Sequence, residues 1–363
     1  MARIIYFSRD YTTHDHRFLT ALAKTDHQIY YLRLESGGQV LEDRPLPPEI
    51  EQVQWAGGNQ SARLMDGPHL LNDLRRVIRY VKPDLIHAGP IQRSAFLVAL
   101  VGFRPLVSMS WGYDLLHDAQ INPFWRWATR YTLRHSAAMV GDCNTIRQLA
   151  ISYGMPDERI VTFPWGIDLQ HFTVQTSSRS NIQTFSLLST RGFEPIYGID
   201  VIARAFVIAA RKRPNLRLTL LGNGSQSASI RQILLIGAVY DRVVFPGHVS
   251  FSNLPSYYRN ADLYISASHS DGTSISLLEA FACGTPAIVP DIPGNREWVT
   301  PGENGWLFPD GDSEALASAI LNAIDQQQNL PEMSRKARLL AEARADWERN
   351  FPQVEKAYAI AMA

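Results

Sequence analysis

Short apolar runs alternate with longer, helically spaced patterns along most of this chain. In the first half, Ile4–Phe7, Gln28–Leu32, Leu85–His87, Leu106–Met109 and Ala138–Val140 read as buried strands. Between them His69–Val81, Ser94–Val101 and Trp125–His135 carry helical spacing. The pattern then breaks: Thr173 to Thr184 is polar and aperiodic, as expected of a linker. Alternation restarts with strands at Phe185–Ser189, Leu216–Leu221, Val243–Phe245, Leu263–Ser266 and Ala287–Val289. Helical patterns follow at Ile199–Arg211, Ile275–Cys283, Ser313–Gln326, Pro331–Arg344 and Trp347–Ile360. Strand-helix alternation with apolar, β-branched strands predicts parallel sheets covered on both faces. The fold class is therefore α/β, with two doubly wound, Rossmann-like domains: residues 1–172, a linker over 173–184, and 185–344, followed by a C-terminal helix over 345–363.

Composition narrows the function. The chain has 363 residues, 45% apolar and 19% charged, an ordinary globular make-up with room for two cores. Lys plus Arg and Asp plus Glu both number 35, so no global charge favours nucleic acid as a partner. Basic residues do cluster locally. Arg75, Arg76, Arg79 and Lys82 form one group, and Arg126, Arg130 and Arg134 share a helix face by their spacing. Each reads as a solvated face or as an attraction for anionic lipid or an anionic acceptor. Cys143 and Cys283 stand apart, outside any Cys/His cluster, and read as buried thiols in a reducing compartment. No apolar run approaches a membrane span, and the N-terminus reads as a first strand. A cytoplasmic protein is expected, with any membrane contact peripheral and at the inner face of the cell membrane.

The most informative stretch is Asp271-Gly-Thr-Ser-Ile-Ser-Leu-Leu-Glu279, in which seven residues separate two carboxylates. It follows an apolar run and leads into a helix. Backbone N–H groups of Gly272, Thr273, Ser274 and Ile275, with the positive helix end, suit a phosphate. A carboxylate further into the helix suits the hydroxyls of a ribose or sugar. The pair therefore fits a nucleotide-sugar. Taken alone, it also fits a capped strand-turn-helix with Glu279 on a solvated face.

The stretch resembles the acidic-x7-acidic motif of retaining family-4 glycosyltransferases of the GT-B fold. Asp271 stands where that family usually has Glu, and Thr273-Ser-Ile-Ser276 replaces its more apolar core. Further segments match in order from about Ser186 to about Ile324. They are Leu188-Ser-Thr-Arg191, Leu221-Gly-Asn-Gly-Ser225, Phe245-Pro-Gly-His-Val249, Asp291-Ile-Pro-Gly-Asn-Arg-Glu297 and Gly302-Glu-Asn-Gly-Trp-Leu-Phe308. The resemblance implies two domains facing a cleft, with the last helix crossing back to the first domain. It implies that Asp271 sits near the transferred sugar, Glu279 binds ribose, and Arg191 meets the diphosphate. The family's companion Lys is absent: Tyr197 takes its place, and Arg296 is a candidate substitute. Gly222 and Gly224 permit close backbone approach to the donor, and His248 falls in the segment that recognises the base.

In the first half, Ser108-Met-Ser-Trp-Gly-Tyr-Asp114 resembles the family's His-Gly-x-x-Asp segment, with Trp111 in place of the His. Trp111 and Tyr113 are candidate sugar-stacking rings and Asp114 a candidate catalytic hydroxyl acceptor; equally, they suit a buried aromatic pair and a cap. Asp15 and His16, in Ser8-Arg-Asp-Tyr-Thr-Thr-His-Asp-His16, are candidate acceptor contacts. Asp168 reads as a turn cap. No metal ligand set is expected and no cofactor: the substrate would be a nucleoside-diphosphate-sugar, preferably UDP-linked. The resemblance thus implies a retaining, metal-independent transfer to a glycan or lipid-linked glycan. A GT-B phosphorylase or epimerase, or a noncatalytic nucleotide-sugar-binding module, is the alternative.

Overall fold

The computed structural model describes residues 1–36, 42–174 and 184–363. The chain divides into two compact units, Met1–Phe163 with Phe351–Ala363, and Pro164–Asn350. The first unit holds one parallel sheet of seven strands among the described residues. They are β1 (Arg3–Ser8), β2 (Gln28–Arg33), β3 (Glu51–Gln52), β4 (Leu85–Ala88), β5 (Leu106–Met109), β6 (Ala138–Gly141) and β7 (Ile160–Thr162). Their order is β3-β2-β1-β4-β5-β6-β7. From Ile4 to Ser8 every residue of β1 is buried, as a central strand covered on both faces requires.

The second unit repeats the plan with β8 (Phe185–Ser189), β9 (Leu216–Leu221), β10 (Val243–Gly247), β11 (Leu263–Ile265), β12 (Ala287–Pro290) and β13 (Gly305–Phe308). All pair in parallel, in the order β10-β9-β8-β11-β12-β13. Neighbouring residues of a strand serve opposite cores. Leu187 and Ile265 pack with the helices Ile199–Lys212 and Ser313–Asp325, whereas Leu188 and Tyr264 pack with Ile275–Ala282 and Leu330–Arg344. In each sheet the chain runs outward to one edge and then returns to the other side of its first strand. The order reverses between β1 and β4 and again between β8 and β11. In such sheets the crevice beyond the carboxyl ends of those two strands is where ligands bind.

The structure departs from the sequence reading in several places. β3, β7 and β13, and the helices Thr13–Leu22, Asn144–Ser152, Ser227–Ile236 and Leu254–Asn260, are additional to it. The expected single helix Trp347–Ile360 is two, Trp347–Asn350 and Pro352–Met362. Pro352 opens the second, where its missing N–H costs nothing. The unit boundaries also fall elsewhere than at 172 and 345. Ile167 donates its N–H to Ala345 O at 2.7 Å, and Phe172 is fully buried against Phe251 and Tyr258. Residues 164–172 and 345–350 therefore belong to the second unit. Of the expected linker, residues 175–183 lie outside the described residues. The Pro352–Met362 helix packs in the first unit, where Tyr358 OH meets Nδ1 of His87 on β4 at 2.9 Å.

Candidate functional site

Two side chains meet where the order of the second sheet reverses. β8 ends at Ser189, and Arg191 follows; β11 ends at Ile265, and the chain runs on to Asp271. Arg191 Nη2 lies 2.9 Å from Asp271 Oδ2, with side chains only 16% and 18% exposed. The guanidinium also donates from Nη1 to Ser276 Oγ at 3.2 Å, and its Cζ lies 4.3 Å from the centre of the Tyr197 ring. Burial works against the Arg191 charge, but Asp271 and the nearby tyrosines outweigh it and raise its pKa. Its Nε is buried without a hydrogen-bond partner, so the cation retains donor capacity. Tyr197, at the place of the family's Lys, supplies no charge of its own and instead holds the arginine by cation–π contact.

The Asp271–Ser274 turn leads into the Ile275–Ala282 helix. Ser274, with an extended backbone, is the N-cap, yet its side chain makes no capping hydrogen bond. Asp271 is therefore not the cap. The first N–H groups of the helix lack a side-chain acceptor from the cap position, the arrangement that accepts an anion. The turn is braced from behind: a Cβ on Gly294 would lie 2.3 Å from Gly272 O and 2.5 Å from Asp271 O.

Glu279 is buried in the same helix and accepts the Tyr258 hydroxyl at 2.8 Å. That hydroxyl also lies 2.9 Å from Thr190 Oγ1, beside Arg191. Tyr264 OH donates to Ser276 Oγ at 2.8 Å. Two polar chains, Glu279–Tyr258–Thr190 and Asp271–Arg191–Ser276–Tyr264, thus meet at neighbouring residues just beyond β8. Burial, then the charge of Glu279, pushes the Tyr258 pKa well up, so the phenol keeps its proton and donates a hydrogen bond. At the other end of the helix, Arg338 Nη1 donates to Ala282 O at 2.6 Å and favours the negative terminus.

Sequence reasoning missed Thr190, Tyr258, Tyr264 and Ser276 as partners. Tyrosines in apolar segments look like core, and nothing local tells where their hydroxyls end.

The remaining expected donor residues also lie in the second unit. Gly224 is required by the protein itself, since its Cβ would meet Phe193 O at 2.6 Å. Gly222 sits at φ +99° and donates its N–H to Gly247 O at 2.8 Å. His248 lines a surface depression with Pro246, Asn253 and Tyr257. Arg296 is exposed and bidentate to Asp291, at 2.6 and 3.0 Å. Its charge is thereby paired on the surface.

In the first unit, two expected contacts act inside the fold. Asp15 is fully buried and closes a capping box with Thr12, accepting from Thr12 N at 2.9 Å and Oγ1 at 2.6 Å. It also accepts the Tyr6 hydroxyl at 3.2 Å, and burial pushes its pKa up to about 7. Asp114 accepts from Ser110 Oγ at 2.6 Å, from Trp111 N at 3.1 Å, from Leu115 N at 3.0 Å and from Ile91 N at 2.9 Å. Three of those bonds end on Oδ1 and one on Oδ2. Asp114 is thus a brace between two loops, and burial raises its pKa to about 6. His16 Nδ1 lies 2.8 Å from Tyr11 OH. Trp111 packs edge-on against His14, and Tyr113, 42% exposed, stacks on His117. Asp168 caps a turn as expected, accepting from Gln170 N and His171 N.

Among the described residues, no group of three or more His, Cys, Asp or Glu is placed to hold a metal ion. No helix among them is long and apolar enough to cross a membrane.

Comparison with known proteins bears on the family and the fold. A family model described as Glycosyltransferase Family 4 matches residues 12–171, and one described as Glycosyl transferases group 1 matches 176–340. The chain belongs to the family-4-like glycosyltransferases of the GT-B fold. It is 24% identical over 373 aligned residues to the D-inositol 3-phosphate glycosyltransferase of Pseudarthrobacter chlorophenolicus, covering 94% of this chain and 88% of that protein. It is 30% identical over 158 residues to the UDP-N-acetylglucosamine–peptide N-acetylglucosaminyltransferase GtfA subunit of Streptococcus pneumoniae, covering 43% of this chain and 30% of that subunit. Among solved structures, sucrose-phosphate synthase from Thermosynechococcus elongatus matches with a TM-score of 0.82 at 18% identity, over 99% of this chain and 98% of that one. Anabaena HepE in complex with UDP-glucose matches at 0.80 and 19% identity, over 99% and 100%.

Proposed function

We propose that this chain is a retaining glycosyltransferase that moves a sugar from a UDP-sugar to a hydroxyl of a glycan or lipid-linked glycan. The observation that carries the reading is the Arg191–Asp271 pair, set beside an uncapped helix start in the helix that holds Glu279. Such a site offers a cation and the N–H groups of a helix start to a diphosphate and a buried carboxylate to ribose hydroxyls. An arriving diphosphate takes the Arg191 guanidinium in place of Asp271, freeing that carboxylate for the sugar. As the bond from the anomeric carbon to the diphosphate breaks, the leaving group carries the electron pair away. Arg191 and the helix N–H groups stabilise that charge. The names of the relatives support the donor class: one is a UDP-N-acetylglucosamine transferase, and HepE is seen with UDP-glucose.

The account needs no metal, so turnover in chelator should equal turnover without it. A thermal-shift panel of nucleotide-sugars, followed by UDP release from the best ligand, tests the reading. A UDP-sugar should raise the melting temperature, because it binds the native state alone, and should slowly release UDP even without acceptor. No shift with any nucleotide-sugar would contradict it. Tyr197, uncharged at the Lys position, favours a second reading, a binder without turnover; a shift with no UDP release would support that.

A further inference from the structure

The Pro123–His135 helix of the first unit carries an unusual outer face. It is anchored firmly: Asn122 Oδ1 caps it by accepting from Trp125 N at 3.0 Å, Pro123 opens it, and Ala128, Thr129, Thr132 and Leu133 are buried beneath it. Outside, Phe124 and Trp127 are each 48% exposed, and Ile121 just before the helix is 51% exposed. Phe124, Trp127 and Tyr131 form a ladder with successive ring centres 5.8 and 5.3 Å apart, each also touching Phe96. Alongside run Arg126, Arg130 and Arg134, all exposed and one turn apart. No acidic residue occurs between Asp118 and Asp142, so the strip is uniformly basic. The rings are held by one another, and Phe124 and Trp127 remain half-exposed to solvent.

We propose that this face is a membrane-surface contact, seated on a bilayer that displays anionic lipid headgroups. Indole and phenol rings beside a row of arginines match the two layers of such a surface. The rings fit the boundary between headgroups and acyl chains, and guanidinium groups pair with lipid phosphates just above it. The chain's zero formal charge makes this strip a local feature, distinct from a generally cationic surface. The inference is independent of the transferase reading, because none of these residues belongs to the Arg191–Glu279 site.

Co-sedimentation of the full chain with vesicles tests it, using pure phosphatidylcholine and a mixture containing phosphatidylglycerol. Binding is expected to the mixed vesicles, weaker at high salt, and little to the neutral ones. The combined Arg126→Gln, Arg130→Gln and Arg134→Gln variant should lose on the order of a hundredfold in partitioning to mixed vesicles. The Phe124→Ser, Trp127→Ser variant should bind them more weakly as well. Both variants change exposed side chains, and unchanged melting temperatures verify that they fold. Equal partitioning of the wild type to both vesicle types, no partitioning to either, or wild-type binding by the variants would overturn the proposal. So would a wild-type dimer in sedimentation velocity that Phe124→Ser, Trp127→Ser converts to monomer, since the face would then be covered by a second copy.

Discussion

Tyr258 donates a hydrogen bond from its phenolic hydroxyl to Glu279, 2.8 Å away, and both side chains are buried. Tyr258 stands on the Leu254–Asn260 helix and Glu279 on Ile275–Ala282, so the bond fixes the carboxylate from a neighbouring element. Tyr258→Phe should keep the fold and weaken UDP-sugar binding by about 0.5–1.5 kcal/mol, the usual worth of one such hydrogen bond. Calorimetry on both proteins measures this; equal affinities would show that Glu279 needs no help from Tyr258.

Arg191 offers charge and hydrogen bonds to phosphate and nothing to a nucleoside. Arg191→Ala should weaken UDP and UDP-sugar while leaving uridine almost unchanged. It should also destabilise the second unit, since Asp271 then stays partly buried without its cation. Equal losses for uridine and UDP would place the arginine elsewhere.

Asp271 is the N-terminal member of the acidic pair and faces Arg191, so its variant should act on the sugar. Asp271→Asn is expected to lower turnover more than nucleotide affinity. The product should keep the donor's anomeric configuration, read from the anomeric proton coupling in NMR. An inverted product, or near-normal turnover in the variant, would remove Asp271 from the reaction.

Burial raises the Asp15 carboxyl to about 7, against the opposing hydrogen bonds from Thr12. The native chain therefore binds this proton more tightly than the unfolded one, whose Asp titrates near ~3.9. The contribution of Asp15 to stability is full below that value and is lost as pH rises through 7. Asp15→Asn removes this dependence. Relative to wild type, the variant should gain up to about 4 kcal/mol between pH 4 and 8. Urea unfolding across that range measures the difference, and a constant offset would contradict the buried-acid assignment.

The strands were legible because they are apolar on both faces, which only a covered parallel sheet tolerates. β3, with two exposed residues, carries no such signal. The site was legible where chemistry is local in sequence: Asp271, the Gly-Thr-Ser turn and Glu279 lie within one strand-turn-helix. It was illegible where side chains converge from distant segments. Tyr258, Thr190 and Tyr264 reach the site only once β8, β11 and their helices are packed. Asp15 and Asp114 looked like polar cleft residues because sequence cannot show that a carboxylate is buried and bonded within the fold. The break before Pro352 was written in the sequence, but the unbroken apolar spacing on either side masked it.

The central claim is that Glu279 binds the nucleotide part of a sugar donor, and calorimetric titration of UDP-sugar into wild type and Glu279→Gln tests it most directly. Gln fills the same space and can still accept from Tyr258, so the fold should persist with an unchanged melting temperature. Loss of a charged acceptor for ribose hydroxyls should cost about 1.5–3 kcal/mol, a drop in affinity of roughly 10- to 150-fold. Identical donor affinities in the two folded proteins would contradict the account.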